Sequence, residues 1–105
     1  MALSATERTA LADLRRRLTA RFGGRLARFT LFGSRARGEG HEESDLDVLV
    51  LVHQLTRQER RATIDDAGDV EMSVGLVLSP LVRDAETWDE STPLAREIAR
   101  DGLSA

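Results

Sequence analysis

At 105 residues the chain is long enough for one compact domain and too short for two independent cores. A formal charge of −3 and a pI near 5.4 exclude a general attraction to polyanions, so no general nucleic-acid binding is expected. There is no cysteine and all fifteen basic residues are arginine, which excludes disulfides, thiolate metal sites, thiol or lysine nucleophiles and a phosphate-binding lysine.

Two histidines, His41 and His53, cannot make a zinc site alone, so any metal falls to carboxylates. The longest apolar run, Val48 to Val52, is too short to cross a bilayer, and the N-terminus has no apolar signal core. A cytoplasmic protein without membrane association is expected. A chain of this size buries roughly 60–70 % of its unfolded surface, so an oligomer is a natural way to cover more.

Ser4-Ala5-Thr6-Glu7 is a capping-box pattern, followed by Leu11, Leu14, Leu18 and Phe22 at the spacing of one helical face. This predicts a helix from about residue 5 to 22, with Arg15, Arg16, Arg17 and Arg21 on its solvated faces and Gly23-Gly24 as its stop. Arg25 to Phe32 reads as a strand running into Gly33-Ser34. Residues 35 to 44 read as a polar loop with room for one helical turn, and Leu46 to Val52 as a central strand buried on both faces. Thr56-Arg57-Gln58-Glu59 opens a second helix, with Gly68 as its stop. Val70 to Leu78 is strand-like, ended by Ser79-Pro80, and residues 80 to 90 are expected as a loop. Thr92-Pro93 opens a last helix, with Leu94 and Ile98 on its inner face and Gly102 as its cap. The expected order is α-β-β-α-β-α in a single α/β (α+β) domain, residues 1 to 105, without repeats or linkers.

Chemistry concentrates between Gly33 and Asp47. Glycine at a strand exit lets backbone approach a ligand, and the amides with the Ser34 hydroxyl can receive phosphate oxygens. Asp45 and Asp47 are two residues apart in extended chain, so their side chains leave the same face with Cα atoms roughly 6.5–7 Å apart. Carboxylates so placed can share or bridge magnesium ions, which stand about 3.5–4 Å apart in two-metal phosphoryl-transfer sites. Beyond Asp47 the same face continues with Leu49 and Leu51, where solvent gives way to core. Taken singly, Gly-Ser is an ordinary turn and Asp-x-Asp a solvated strand edge.

Together, Gly33-Ser34, ten intervening residues and Asp45-x-Asp47 opening a strand resemble the signature of the DNA polymerase beta-like nucleotidyltransferase superfamily. Gly33-Ser34-x-Ala36-Arg37-Gly38 and Ser44-Asp45-Leu46-Asp47-Val48-Leu49-Val50 are similar to the minimal nucleotidyltransferases, as is the tail Pro93 to Gly102. The resemblance implies a nucleotidyltransferase fold, a small mixed β-sheet with helices packed on it. It implies that Gly33 and Ser34 bind the triphosphate, with Ser44 beside them, that Asp45 and Asp47 ligate Mg2+, and that ATP is the substrate. Arg37 either braces the loop or neutralises phosphate charge. Arg35 falls at a variable position and reads as a surface residue.

Active members of the superfamily carry a third carboxylate on a following strand, which completes the metal site and can accept a proton. Glu71 is the one acid within Val70 to Leu78, while the closest alignment puts Met72 at that position. His41, Glu39, Glu42 and Glu43 read as an acidic loop, and His53 and Trp88 as packing or surface residues, with Trp88 alternatively anchoring a partner. Two functions follow. One is an adenylyl-transferring enzyme, for which the family precedent is an antitoxin acting on a HEPN-domain toxin. The other is an inactive module of the same fold that neutralises or scaffolds a partner by contact.

Overall fold

The computed structural model describes residues 3–40 and 45–105. Helix α1, Ala5–Phe22, begins at the expected capping box: the Ser4 hydroxyl accepts from the Glu7 amide at 3.0 Å, and the Ser4 amide donates to Glu7 Oε1 at 2.7 Å. Leu11, Leu14, Leu18 and Phe22 form its buried stripe together with Ala10. After a 3-10 turn, Gly23–Arg25, strand β1 covers Leu26–Phe32 and strand β2 covers Leu46–Val52.

Arg15, Arg16 and Arg21 of α1 are exposed as expected and Arg17 is half-buried, but two of these arginines also reach across to a neighbouring helix. Arg21 grips Asp66 with Nε and Nη2 at 3.0 and 3.3 Å, and Arg17 reaches Asp69 at 3.5 Å. Both acids lie on helix α2, Arg57–Val74, so charge pairs line the seam between the two helices.

Helix α2 corrects the sequence reading most. Its start is as expected, with Thr56 and Glu59 exchanging capping bonds at 3.1 Å. It does not stop at Gly68 but continues to Val74, where Gly75 takes a left-handed conformation (φ 85°) and donates to the Glu71 carbonyl. A glycine inside a helix costs about 1 kcal/mol, less than the burial of Ala67 and Val70 on either side of it returns. Val70 to Val74 are therefore helical, and strand β3 is Leu78–Asp84, beginning where the expected strand ended. Pro80 lies within it, which an edge strand tolerates because a missing N–H on the open side breaks no ladder bond.

Helix α3, Pro93–Asp101, has Thr92 as N-cap and buries Ala95 with Ile98; Leu94 is turned outward, 41 % exposed, contrary to expectation. A two-residue strand, β4, Leu103–Ser104, was not foreseen and pairs with Thr30 and Leu31. Gly102 makes this return possible, since a side chain there would strike the Ile98 carbonyl and the Thr30 methyl.

The sheet order is β3-β2-β1-β4, with β2 antiparallel to β1 and parallel to β3, a mixed sheet as the resemblance implied. β2 is interior and its residues divide by pleat. Leu46, Val48, Val50 and Val52 enter the core under α1 and α2, while Leu49 and Leu51 pack with Ile98, Phe32, Leu81 and Trp88 on the α3 side. Among the described residues no helix is long and apolar enough to cross a membrane.

Candidate functional site

The two halves of the motif meet at one end of the sheet. Register pairs Phe32 with Asp47, so the residue after Phe32, Gly33, arrives beside that carboxylate. Gly33 has φ 78°, and a β-carbon built on it would overlap Asp47 Oδ2 and lie 3.3 Å from Asp47 Cγ. Only glycine satisfies both the left-handed backbone and the contact.

From Gly33 the chain folds into a tight turn. The Arg37 amide donates to the Gly33 carbonyl at 3.2 Å, Gly38 to Arg35 at 3.3 Å, and Glu39 to Ser34 at 2.8 Å. Ala36 drops into the main core and holds the turn down. The loop expected from residue 35 thus contains a hydrogen-bonded turn up to Glu39. Ser44, His41, Glu42 and Glu43 lie outside the described residues.

Asp47, on β2, is half-buried, and Asp45, one residue before the strand begins, is exposed. Loss of hydration holds the Asp47 carboxyl above its ordinary pKa, and the like charge of Asp45 pushes it in the same direction. The two carboxylates are therefore close enough for the charge of one to be felt at the other.

Arg35 is not the surface residue expected. It is 6 % exposed and its guanidinium runs under the turn to Glu7, with Nε and Nη2 at 2.8 Å from the two carboxylate oxygens and Nη1 donating to the Glu39 carbonyl at 3.1 Å. The Arg35 bonds are the main reason the Glu7 carboxyl lies below the usual carboxylate range, against the opposing pull of burial. Sequence spacing gave no sign of this pair, because 28 residues separate its members; a glutamate at a helix position that falls on the core face was the available signal.

Arg37 stands exposed at the lip of the turn, with Nε 3.3 Å from Glu39 Oε1, and its charge contributes to the low pKa of Asp101 at the end of α3 after the larger effect of Arg100.

Glu71 is not on a strand. It occupies the last turn of α2, and its Oε2 accepts the Leu78 amide at 2.8 Å, closing the connection into β3. The reading of Glu71 as a third strand carboxylate is corrected accordingly. Register places Ser79 beside Asp47, and Leu78 beside Leu46, so a serine occupies the neighbouring-strand position on the same face. Among the described residues no group of three or more His, Asp or Glu is placed to hold a metal ion. Ser79 was missed because the strand was expected to end there.

His53 and Trp88 belong elsewhere. His53 follows the far end of β2 and contacts Glu86 through Nδ1, while Trp88 packs beneath α3 against the second apolar cluster.

Comparison with known proteins bears on the family and the fold. A "Putative protein adenylyltransferase MJ0141" of Methanocaldococcus jannaschii is 41 % identical over 59 residues, spanning 55 % of this chain and 60 % of that protein's length. A solved structure described as a "putative minimal nucleotidyltransferase" superposes with TM-score 0.56 at 28 % identity, covering 90 % of this chain and 95 % of the other. A toxin-antitoxin crystallised with AMP-PNP shares the fold at TM-score 0.59 and 21 % identity, covering 87 % of this chain and 68 % of that one. The sequence matches the family described as "Nucleotidyltransferase domain" over residues 11–99, and the chain, with its Gly33-Ser34 turn set against Asp47, belongs to that family.

Proposed function

We propose that this chain is a magnesium-dependent nucleotidyltransferase that moves a nucleoside monophosphate, AMP from ATP, onto a hydroxyl of a protein or small acceptor. The observation that supports the reading is the close approach of Gly33 to Asp47, which sets the Gly33-Ser34 turn against an acidic residue at one strand end. The name of the Methanocaldococcus relative and the AMP-PNP complex of a protein with this fold support the choice of adenylyl transfer.

Asp45 and Asp47 suit magnesium by the chemistry of their donors. They offer hard carboxylate oxygens from a like-charged pair, and a cation would offset the lost hydration and the repulsion by Asp45 that raise the Asp47 pKa. Bound magnesium would make the acceptor hydroxyl more acidic and offset charge on the leaving pyrophosphate. The chain's own residues do the remaining work. Backbone amides at the start of the turn, ahead of those of Arg37 to Glu39 that bond carbonyls within it, and the Ser34 hydroxyl receive phosphate oxygens, with Ser44 assigned alongside by family resemblance. Arg37 supplies positive charge at the lip. The hydroxyl oxygen forms its bond to the α-phosphorus as the bond to the pyrophosphate oxygen breaks, and the hydroxyl proton departs to solvent or a base.

The partner in this reading is a HEPN-domain toxin, met in the cytoplasm; the MntA-HpeT toxin-antitoxin has the same fold. A second reading, an inactive module that restrains a partner by contact, is favoured by one observation: Ser79, not an acid, stands next to Asp47. Incubation with labelled ATP, magnesium and a HEPN-domain protein separates them. Transfer that disappears in Asp45→Asn/Asp47→Asn supports the enzyme. Partner binding by both forms without transfer supports the module.

A further inference from the structure

The ion pair beneath the turn touches neither Asp45 nor Asp47, yet it joins that turn to the start of α1, 28 residues earlier. Glu7 is 0 % exposed and the Arg35 side chain 7 %, so neither is a solvated surface charge. Each Glu7 oxygen is used. Oε1 accepts from the Ser4 amide and Arg35 Nη2, and Oε2 accepts from Arg35 Nε.

Arg35 follows Ser34 directly, and its third hydrogen bond, to the Glu39 carbonyl, clamps the turn across its base. The Arg35 guanidinium, through its fork on Glu7 and its Nη1 bond to Glu39, thus links the first turn of α1, residues 34 and 35, and the closure of the turn. A two-point guanidinium–carboxylate contact defines orientation as well as distance, which a single-point charge does not.

We propose that Arg35 and Glu7 are positioning residues for the Gly33–Glu39 turn, holding its amides in the arrangement that receives the polyphosphate before any nucleotide arrives. The proposal rests on the nucleotidyltransferase reading for its ligand, but the preformed turn is testable without one. Pre-orientation matters because an ordered turn pays no ordering entropy on binding.

The test is amide hydrogen exchange on the nucleotide-free protein, followed by calorimetric titration with AMP-PNP and magnesium. In the unaltered chain the amides of Arg37 and Glu39 should exchange at least about a hundredfold more slowly than unbonded loop amides. Arg35→Lys keeps the charge but loses the fork, and Glu7→Gln keeps the capping bond but loses the charge. Both should speed exchange at residues 37 to 39 by about tenfold more than in α2, and weaken AMP-PNP by about tenfold. Asp66→Asn, which breaks the more exposed Arg21 pair at the opposite end of α1, is the control for losing an α1 charge pair away from the turn and should do neither.

Fast exchange of the turn in the unaltered protein overturns the proposal, as does acceleration spread evenly over the chain in the variants. If the unaltered protein does not bind AMP-PNP, the nucleotidyltransferase reading fails, and the exchange pattern still decides whether Arg35 and Glu7 hold the turn.

Discussion

Gly33 and Asp47 share one small volume: the position a β-carbon on residue 33 would take is already filled by the Asp47 carboxylate. Gly33→Ala therefore carries two penalties, a left-handed backbone costing about 1–2 kcal/mol and displacement of the acid. Calorimetry should show a thermal midpoint lowered by at least about 5 °C and no further response to magnesium with AMP-PNP. An alanine variant with unchanged midpoint and metal response would mean that turn and acid are not in contact.

Asp47 trades stability for chemistry. Its folded-state pKa is raised, by lost hydration first and by Asp45 second, so the folded protein holds this proton more tightly than the unfolded chain does. The sign follows: stability is full below the ordinary aspartate range and declines as pH rises through the raised value. Asp47→Asn removes the decline, and in EDTA at pH 7 it should melt higher than the unaltered protein while losing any rise on adding magnesium. A lower midpoint for the asparagine form under those conditions would contradict it.

Much of this was legible in the sequence because the signals were local. Capping boxes at Ser4 and Thr56 set the starts of α1 and α2, and the apolar run Leu46–Val52 could only be an interior strand. Spacing placed Asp45 and Asp47 toward one side of an extended chain, but singling out the acidic pair with the Gly-Ser turn needed the combined motif and its family resemblance. What failed depended on distant residues. Gly68 reads locally as a stop, but the helix continues because Ala67 and Val70 pack on the core, and that moved β3 eight residues along. Arg35 looked exposed because nothing nearby announces Glu7.

Glu7 should govern acid stability. Its folded pKa is lowered, chiefly by Arg35, so it contributes stability above the usual glutamate range that is lost as pH falls through the lowered value. Glu7→Gln leaves Arg35 buried without a counter-charge, a change costing up to about 3–5 kcal/mol. That is a large share of the roughly 5–15 kcal/mol typical of a domain. Urea unfolding between pH 7 and pH 3 should show the gap between the two proteins narrowing as pH falls. A constant gap would assign the loss to packing instead of charge.

Glu71 distinguishes a structural acid from a chemical one. Its carboxylate accepts the Leu78 amide at the entry to β3, so Glu71→Gln should cost about 1 kcal/mol in urea unfolding. Nucleotidyl transfer by the folded protein should then stay within about twofold of the unaltered rate, since a third carboxylate acting as base contributes about a hundredfold or more. A hundredfold loss in the folded variant would return Glu71 to the reacting site.

Ser79 is the position at which a third acid can be tried. It neighbours Asp47 on parallel strands, whose separation of about 4.8 Å lets side chains in register meet on one face. Ser79→Asp adds a third negative charge to a pair that already repels, so the variant should melt below the unaltered protein in EDTA. Magnesium should then raise its midpoint further than it raises the unaltered protein's, because three carboxylates bind a hard cation better than two. If the missing acid limits turnover, labelled transfer should also rise by at least about tenfold. A midpoint in EDTA equal to the unaltered one, with no larger magnesium response, would show that residue 79 does not face Asp47.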